Sequence, residues 1–274
     1  MTGAQDTMGR HLGALAKQDK FLSLESLNVF EWGEPSGRPL VCLHGVTSYG
    51  GRFDWLAGSG RHVVSLDLLG HGHSSWEPPW DVDAHLAPIL ESVPDGPAVW
   101  VGHSFGGRLA AELAARDPER VERLVLLDPA LQVLPHVAFD LAELERQDVS
   151  YETVEEAVQS RYDSGRVLLA PVDRVVASDA AHMEAGPDGR LRYRYCKSAV
   201  ITAWSIMATP PPPPARVPTL MVLGADSWLT PGEHLDTYRD ELGDLFEAVT
   251  VPGGHTVYWD ALDETVAALD AFLV

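Results

Sequence analysis

Cysteine is nearly absent from this chain of 274 residues, which carries only Cys42 and Cys196. Cys42 lies inside an apolar run and Cys196 in a distant polar, aromatic stretch, so no disulfide framework is expected and a reducing compartment is the simpler setting. Lysine is almost as scarce, at Lys17, Lys20 and Lys197, and the 20 basic residues stand against 40 acidic ones. The resulting formal net charge of −20 argues against nucleic acid and anionic membrane surfaces as partners, because both are polyanions. Long apolar runs are missing too. Met1 to Lys20 has no apolar core and carries Asp6 early, so neither a signal peptide nor a membrane span is expected there, and the chain is expected to be cytoplasmic. The histidines lack H-E-x-x-H spacing, no P-loop is present, and Gly102 to Gly107 lacks the G-x-G-x-x-G order. No metal, nucleotide or other cofactor is therefore expected.

What the chain does contain is an alternation of short apolar runs and helix-compatible segments, the pattern of one α/β unit with a largely parallel sheet. Phe21 to Leu27 and Val29 to Trp32 alternate apolar with polar residues and suggest an antiparallel start, punctuated by Pro35-Ser36-Gly37. Leu40 to Leu43, His62 to Leu69, Ala98 to Val101 and Val121 to Leu127 read as buried strands. Asp81 to Val93 is helix-compatible, and Asp117-Pro118 ends the helix that begins near Arg108. From 129 to 217 the pattern changes to charged, helix-like segments, including Ala138 to Gln147 and Val154 to Ser164, with no clear strand. Pro210 to Pro214 should be a stiff extended return, a docking peptide being the other reading. Thr219 to Leu223 and Phe246 to Val251 resume the sheet, and Tyr258 to Phe272 should pack a helix across it.

Gly102-His103-Ser104-Phe105-Gly106 stands between the run Ala98 to Val101 and a helix, which is the context a G-x-S-x-G elbow requires. Such a turn presses backbone on backbone and leaves room for nothing larger than glycine, and it presents the serine hydroxyl at the top of a sheet, toward solvent. Leu43-His44-Gly45-Val46, the stretch from Asp67 to Ser74 and Gly253-Gly254-His255 follow in order around it. Together these motifs resemble the α/β-hydrolase family of serine esterase type across nearly the whole chain. The resemblance implies a core of 1–128 and 218–274, with 129–217 a helical cap inserted into it.

Serine needs a base to take its proton, and the resemblance gives that role to His255, with Ser104 as nucleophile. His44, His71, His73 and His103 lie in loop motifs whose family role is structural, or they contact substrate. Two carboxylates compete for the acid. The family loop reads Gly-x-x-Asp with proline four residues on. Here Gly224 to Pro231 puts Ser227 at that place and Asp226 one residue early. Some small esterases of this fold carry serine there and take the acid from the strand end that is Asp128 here, and Asp128 is favoured narrowly over Asp226. An Asp-Pro at a strand end is also ordinary turn chemistry. The oxyanion donors implied are the backbone N–H groups of Val46 and Phe105.

Trp76, Trp228 and Tyr258 are candidates for lining an acyl or alcohol pocket, with packing of cap on core as the plainer role. The expected partner is a small-molecule ester or lactone, cleaved through an acyl-enzyme. Arg192, with Tyr193 and Tyr195 near it, suggests instead a substrate carboxylate, as in carbon–carbon bond hydrolases of ring-cleavage products. A ligand-binding member of the fold with little turnover is the third reading.

Overall fold

The computed structural model describes residues 27–35, 38–229 and 232–274. The expected strand Phe21 to Leu27, apart from Leu27, lies outside the described residues, as do Met1 to Lys20, Ser36 with Gly37, and Thr230 with Pro231. The first elements are β1 (Val29–Trp32), β2 (Leu40–Leu43), β3 (Val63–Leu66), α1 (Val82–Glu91), β4 (Ala98–His103), α2 (Phe105–Arg116) and β5 (Val121–Leu127). After β5 come α3 (Pro135–Glu145), α4 (Val154–Tyr162), α5 (Val172–Ala180), β6 (Met183–Ala185), β7 (Leu191–Tyr193) and α6 (Lys197–Met207). The chain closes with β8 (Thr219–Gly224), α7 (Gly232–Leu242), β9 (Phe246–Val251), α8 (Val257–Asp260) and α9 (Leu262–Phe272).

The main sheet has the order β1-β3-β2-β4-β5-β8-β9. Every neighbouring pair is parallel except β1 with β3. Side chains alternate between the two faces of a strand, and both faces of the inner strands are covered. Val41, Leu43, Trp100, Leu124, Leu126 and Met221 pack into one apolar cluster, while Leu40, Cys42, Val99, Val101, Val125 and Val222 pack into the other. That double burial explains why the strands read as continuous apolar runs. Asp81 caps α1 by accepting from the Ala84 N–H at 2.9 Å, the short polar side chain satisfying an otherwise unpaired helix donor.

Two expectations need correction. The segment between β5 and β8 does contain strands: β6 and β7 form an antiparallel hairpin. Its turn, Gly186-Pro187-Asp188-Gly189, has Gly189 at φ 76°, and the Asp188 carboxylate accepts from the Arg190 N–H at 3.1 Å. Strands this short give too little alternation to register as a pattern. The single helix over Tyr258 to Phe272 is two helices, broken at Ala261 with φ −140°. The Asp260 carboxylate ahead of the break accepts from the N–H groups of Gly254 at 2.7 Å, Leu169 at 2.7 Å and Ala170 at 3.1 Å. Long-range bonds to loops thus outweigh helix continuity.

The run Pro210 to Pro214 is non-helical. Its start is held by the buried Arg108 of α2, whose guanidinium donates to the carbonyls of Thr209 at 3.0 Å, Pro210 at 2.9 Å and Leu131 at 2.6 Å.

Candidate active site

β4 delivers Ser104 at φ 54° and ψ −119°, a conformation that a residue with a Cβ adopts only where its surroundings impose it. The glycines show how. A Cβ on Gly102 would lie 2.4 Å from the Gly106 carbonyl oxygen, and one on Gly106 would lie 2.1 Å from the Leu43 carbonyl oxygen. The turn therefore packs against both its own helix and β2. Ser104 is 3 % exposed, so the expectation that its hydroxyl faces solvent does not hold. Later segments cover this edge of the sheet. Residues 167–170 lie over the His255 loop, where a Cβ on Gly254 would meet the Val167 carbonyl oxygen at 2.2 Å, and His182 reaches the Thr47 carbonyl at 3.3 Å.

His255 follows β9 on a loop, and its Nδ1 lies 2.7 Å from Oδ2 of Asp128. Asp128, at the end of β5, is fully buried and sits at φ 41°. Its Oδ1 accepts from the Gly224 N–H at 3.1 Å, and the Ser227 hydroxyl donates to its Oδ2. A carboxylate accepts only, so His255 carries its proton on Nδ1 and presents Nε2 as the acceptor nitrogen. Asp226 is exposed, and its N–H is engaged with the Gly253 carbonyl at 2.9 Å. The structure thus brings Asp128 and Ser227 to His255, and leaves Asp226 on the surface.

Three neighbouring histidines are fixed as neutral rings by the partners of both nitrogens. His44 donates from Nδ1 to the Gly45 carbonyl at 2.7 Å and accepts at Nε2 from the Leu68 N–H at 3.0 Å. His71 donates from Nδ1 to the Leu69 carbonyl at 3.0 Å and accepts at Nε2 from the Thr47 N–H at 3.3 Å. His103 donates from Nε2 to the His255 carbonyl at 3.0 Å, with Tyr258 Oη at 3.5 Å from its Nδ1. Burial lowers all of them as acids, His71 to about 4 and the other two well below the ordinary imidazole value. His73 accepts at Nε2 from Arg194 at 2.9 Å. His255 alone of this group combines a carboxylate partner with side-chain exposure, 22 %.

The loop from His44 to Thr47 passes directly beside the elbow. A Cβ on Gly45 would lie 2.8 Å from Ser104 Cβ and 3.3 Å from its Oγ, so this glycine permits the approach. Val46 comes next and Thr47 then turns at φ 56°. Phe105, opening α2, buries its ring edge-on against His85 at 5.4 Å. The non-glycine residues at positive φ, Thr47, Ser104 and Asp128, all lie at this one edge, the clustering that functional sites show.

The other sequence candidates divide. Trp228 is half exposed, with its ring 6.5 Å from His255 and Arg166 over its face at 4.9 Å. Trp76 is exposed. Tyr258 is buried and packs on Trp55 at 5.9 Å and on His103 at 5.1 Å, so it supports the site from beneath and does not line a pocket; its place in the first turn of α8 points it into the core. The arginines in and just before β7 are occupied. Arg192 pairs with Asp188 at 2.8 Å and Asp148 at 3.4 Å, and Arg190 with Glu152 at 3.2 Å. Among the described residues, no group of three or more histidine, cysteine or acidic side chains is placed to hold a metal ion, and no helix is long and apolar enough to cross a membrane. Sequence reading missed Arg52, Asp179 and His182. Arg52 donates to Asp179 at 2.6 Å in full burial, and no local motif announces a pair 127 residues apart.

A family model described as the alpha/beta hydrolase fold matches residues 38–262. Lipase LipV of Mycobacterium tuberculosis (strain ATCC 25618 / H37Rv) is 34% identical over 248 residues, 84% of this chain and 91% of that protein. The sn-1-specific diacylglycerol lipase ABHD11 of Mus musculus is 28% identical over 259 residues, 88% of this chain and 82% of the relative. The solved structure of E-2-(acetamidomethylene)succinate hydrolase superposes with a TM-score of 0.76 at 23% identity, covering 90% of this chain and 94% of that one. That likeness shows the fold.

Proposed function

The chain belongs to the α/β-hydrolase family, and on that premise we propose that it is a serine hydrolase cleaving a carboxylic ester or lactone through an acyl-enzyme. The observation that carries the reading is the 2.7 Å pair of His255 Nδ1 with buried Asp128, beside an elbow that holds Ser104 at φ 54°. Ser104 Oγ attacks the acyl carbon while His255 Nε2 takes its proton, and Asp128 holds the imidazole in that tautomer and stabilises the imidazolium. The carbonyl oxygen becomes an oxyanion received by the N–H groups of Val46 and Phe105. Collapse breaks the bond to the alcohol oxygen, which takes the proton from His255. Water, deprotonated by the same ring, then releases the acid and restores Ser104. No step requires a metal or a cofactor.

Residues 129–217 act in this reading as a cap over the site, and Trp228 flanks the entrance. That relatives carry the names lipase and esterase supports acyl esters as the substrate class. The engaged side chains of Arg190 and Arg192 give no support to a substrate carboxylate at that place. Turnover of p-nitrophenyl esters of short and medium acyl chains by wild type and Ser104→Ala tests the reading. Loss of at least about a thousandfold with an unchanged fold is expected; full retention would remove Ser104 from the mechanism. Labelling of wild type, and not of Ser104→Ala, by a fluorophosphonate would distinguish an enzyme from a ligand-binding member of the fold.

A further inference from the structure

We propose that His182, far from the reacting atoms in sequence, is a positioning residue that sets the oxyanion loop, so that seating of the cap and assembly of the anion site are one event. This rests on the acyl-transfer reading above. Thr47, one residue after the proposed donor Val46, is held at φ 56°, where a β-branched residue is an outlier that its contacts must maintain. Its N–H is held from the core by His71 Nε2 at 3.3 Å. Its carbonyl is held from the cap by His182 Nε2 at 3.3 Å, and because a carbonyl only accepts, that nitrogen carries the proton.

The contact is built in, since His182 is fully buried and its ring stacks on Tyr49 at 4.7 Å with planes 7° apart. Tyr49 in turn donates to the Ser178 carbonyl at 3.2 Å, and Arg52 to the Ser178 hydroxyl at 3.2 Å. The backbone of His182 is fixed by cap elements on either side, its N–H on the Asp179 carbonyl and its carbonyl on the Arg194 N–H, both at 2.9 Å. Burial, with Arg52 near, keeps the imidazole neutral, which suits a ring used only as a donor. The consequence follows from Gly45. With Gly45 backed against Ser104, a change of peptide orientation at Thr47 re-aims the Val46 N–H rather than being absorbed by slack.

The test compares His182→Phe, which preserves the stack on Tyr49 and removes the donor, with His182→Gln, whose amide N–H can occupy the place of Nε2. In His182→Phe the kcat for a p-nitrophenyl ester should fall about tenfold, less than the hundredfold or more that follows loss of an oxyanion donor outright. The KM should stay within about twofold, fluorophosphonate labelling should slow by the same factor as kcat, and His182→Gln should recover most of the loss. Hydrogen exchange of the amides of residues 44–50 should quicken in His182→Phe, a readout independent of turnover. Unchanged kcat and unchanged exchange, or losses that follow only the folded fraction, would overturn the proposal while leaving the Ser104 reading in place. Failure of Ser104→Ala to affect turnover would instead overturn that reading, and exchange alone would then decide what His182 does to the loop.

Discussion

Among the described residues Asp67, Asp128 and Asp179 are fully buried, and the last two are surrounded in opposite ways. Asp128 takes hydrogen bonds from His255, Ser227 and the Gly224 amide, all neutral donors while the imidazole carries one proton. Asp179 lies between the guanidiniums of Arg52 at 2.6 Å and Arg161 at 2.8 Å, with the Tyr193 hydroxyl at 2.6 Å. Burial works to raise the Asp179 carboxyl, and the two guanidiniums outweigh it and hold it below the usual carboxylate range. Its charge is neutralised permanently, which suits a rivet joining α4, α5 and β7 to the Arg52 loop of the core. Asp128 faces His255 instead, and in the proposed acyl transfer a cation formed on that ring during attack is drawn to the carboxylate. One buried anion fastens two parts of the chain; the other, in the proposed reaction, meets a charge that appears only during attack.

The comparison breaks most readily at Asp128. Asp128→Asn should lower ester turnover by about ten-thousandfold, the scale seen when an amide replaces a triad carboxylate, with a small change in melting temperature. Asp226→Asn should stay within about twofold. If Asp226→Asn abolished turnover and Asp128→Asn did not, the loop acid would be Asp226 and the argument from buried neutral donors would fall. Asp179→Asn should show the reverse profile. Stability should fall by about 3 kcal/mol because buried Arg52 and half-buried Arg161 lose their partner, measured by chemical denaturation. Since the folded carboxyl titrates below its unfolded value of about 3.9, this contribution is whole above about pH 4 and fades as pH falls through the lowered value. Acid unfolding that is identical in wild type and Asp179→Asn would refute the rivet.

The same contrast explains what the sequence reveals. Leu40–Leu43 is legible to the residue because a strand covered on both faces is apolar throughout, and Phe246–Val251, an edge strand with Glu247 and Thr250 in it, is legible from its β-branched and aromatic residues. The elbow is legible because its residues are contiguous in sequence, although the contacts that demand its glycines come both from its own helix, at Gly102, and from distant Leu43, at Gly106. The hairpin of β6 and β7 is too short to show a period, and the break at Ala261 is set by Asp260 bonding to residues about ninety positions away. Asp179 and Asp226 look alike as letters, and only packing buries one and exposes the other. Tyr258, grouped with the pocket aromatics by its position next to the histidine loop, turns into the core because helix phase decides which way a side chain points.

Smaller effects sharpen the role of Asp128 further. His71 lies at about 4 and His85 at about 3, with His44 and His103 also pushed down by burial, so none of them changes charge between pH 5 and 8. An acid limb in kcat/KM over that range should therefore owe nothing to these four rings and should follow the single proton of the base in the proposed reaction. A limb steeper than one proton would implicate a second group. Ser227→Ala removes one donor to a buried carboxylate, worth about 1.5 kcal/mol, and should lower kcat about tenfold or less without the collapse expected of Asp128→Asn. A loss as large as that of Asp128→Asn would mean that the hydroxyl, and not the carboxylate alone, orients His255.

The smallest expected effect lies on the surface of the β6–β7 hairpin, the cap in the proposed reading, where charge pairing is of yet another kind. Arg192 bonds to Asp188 and Asp148 in the open, where water screens the attraction and such pairs contribute little. Arg192→Gln should thus leave the melting temperature and ester turnover within the error of measurement, and should leave the ratio of kcat/KM for a neutral ester to that for a carboxylate-bearing ester unchanged. A selective loss toward the carboxylate-bearing ester would show that Arg192 exchanges its acidic neighbours for substrate. The cap would then contain a working anion site, and the carbon–carbon bond hydrolase reading would regain the residue it needs. An unchanged ratio confines charge recognition to the buried edge of the sheet, where the proposed reaction assigns it to Asp128 and the loop after His44.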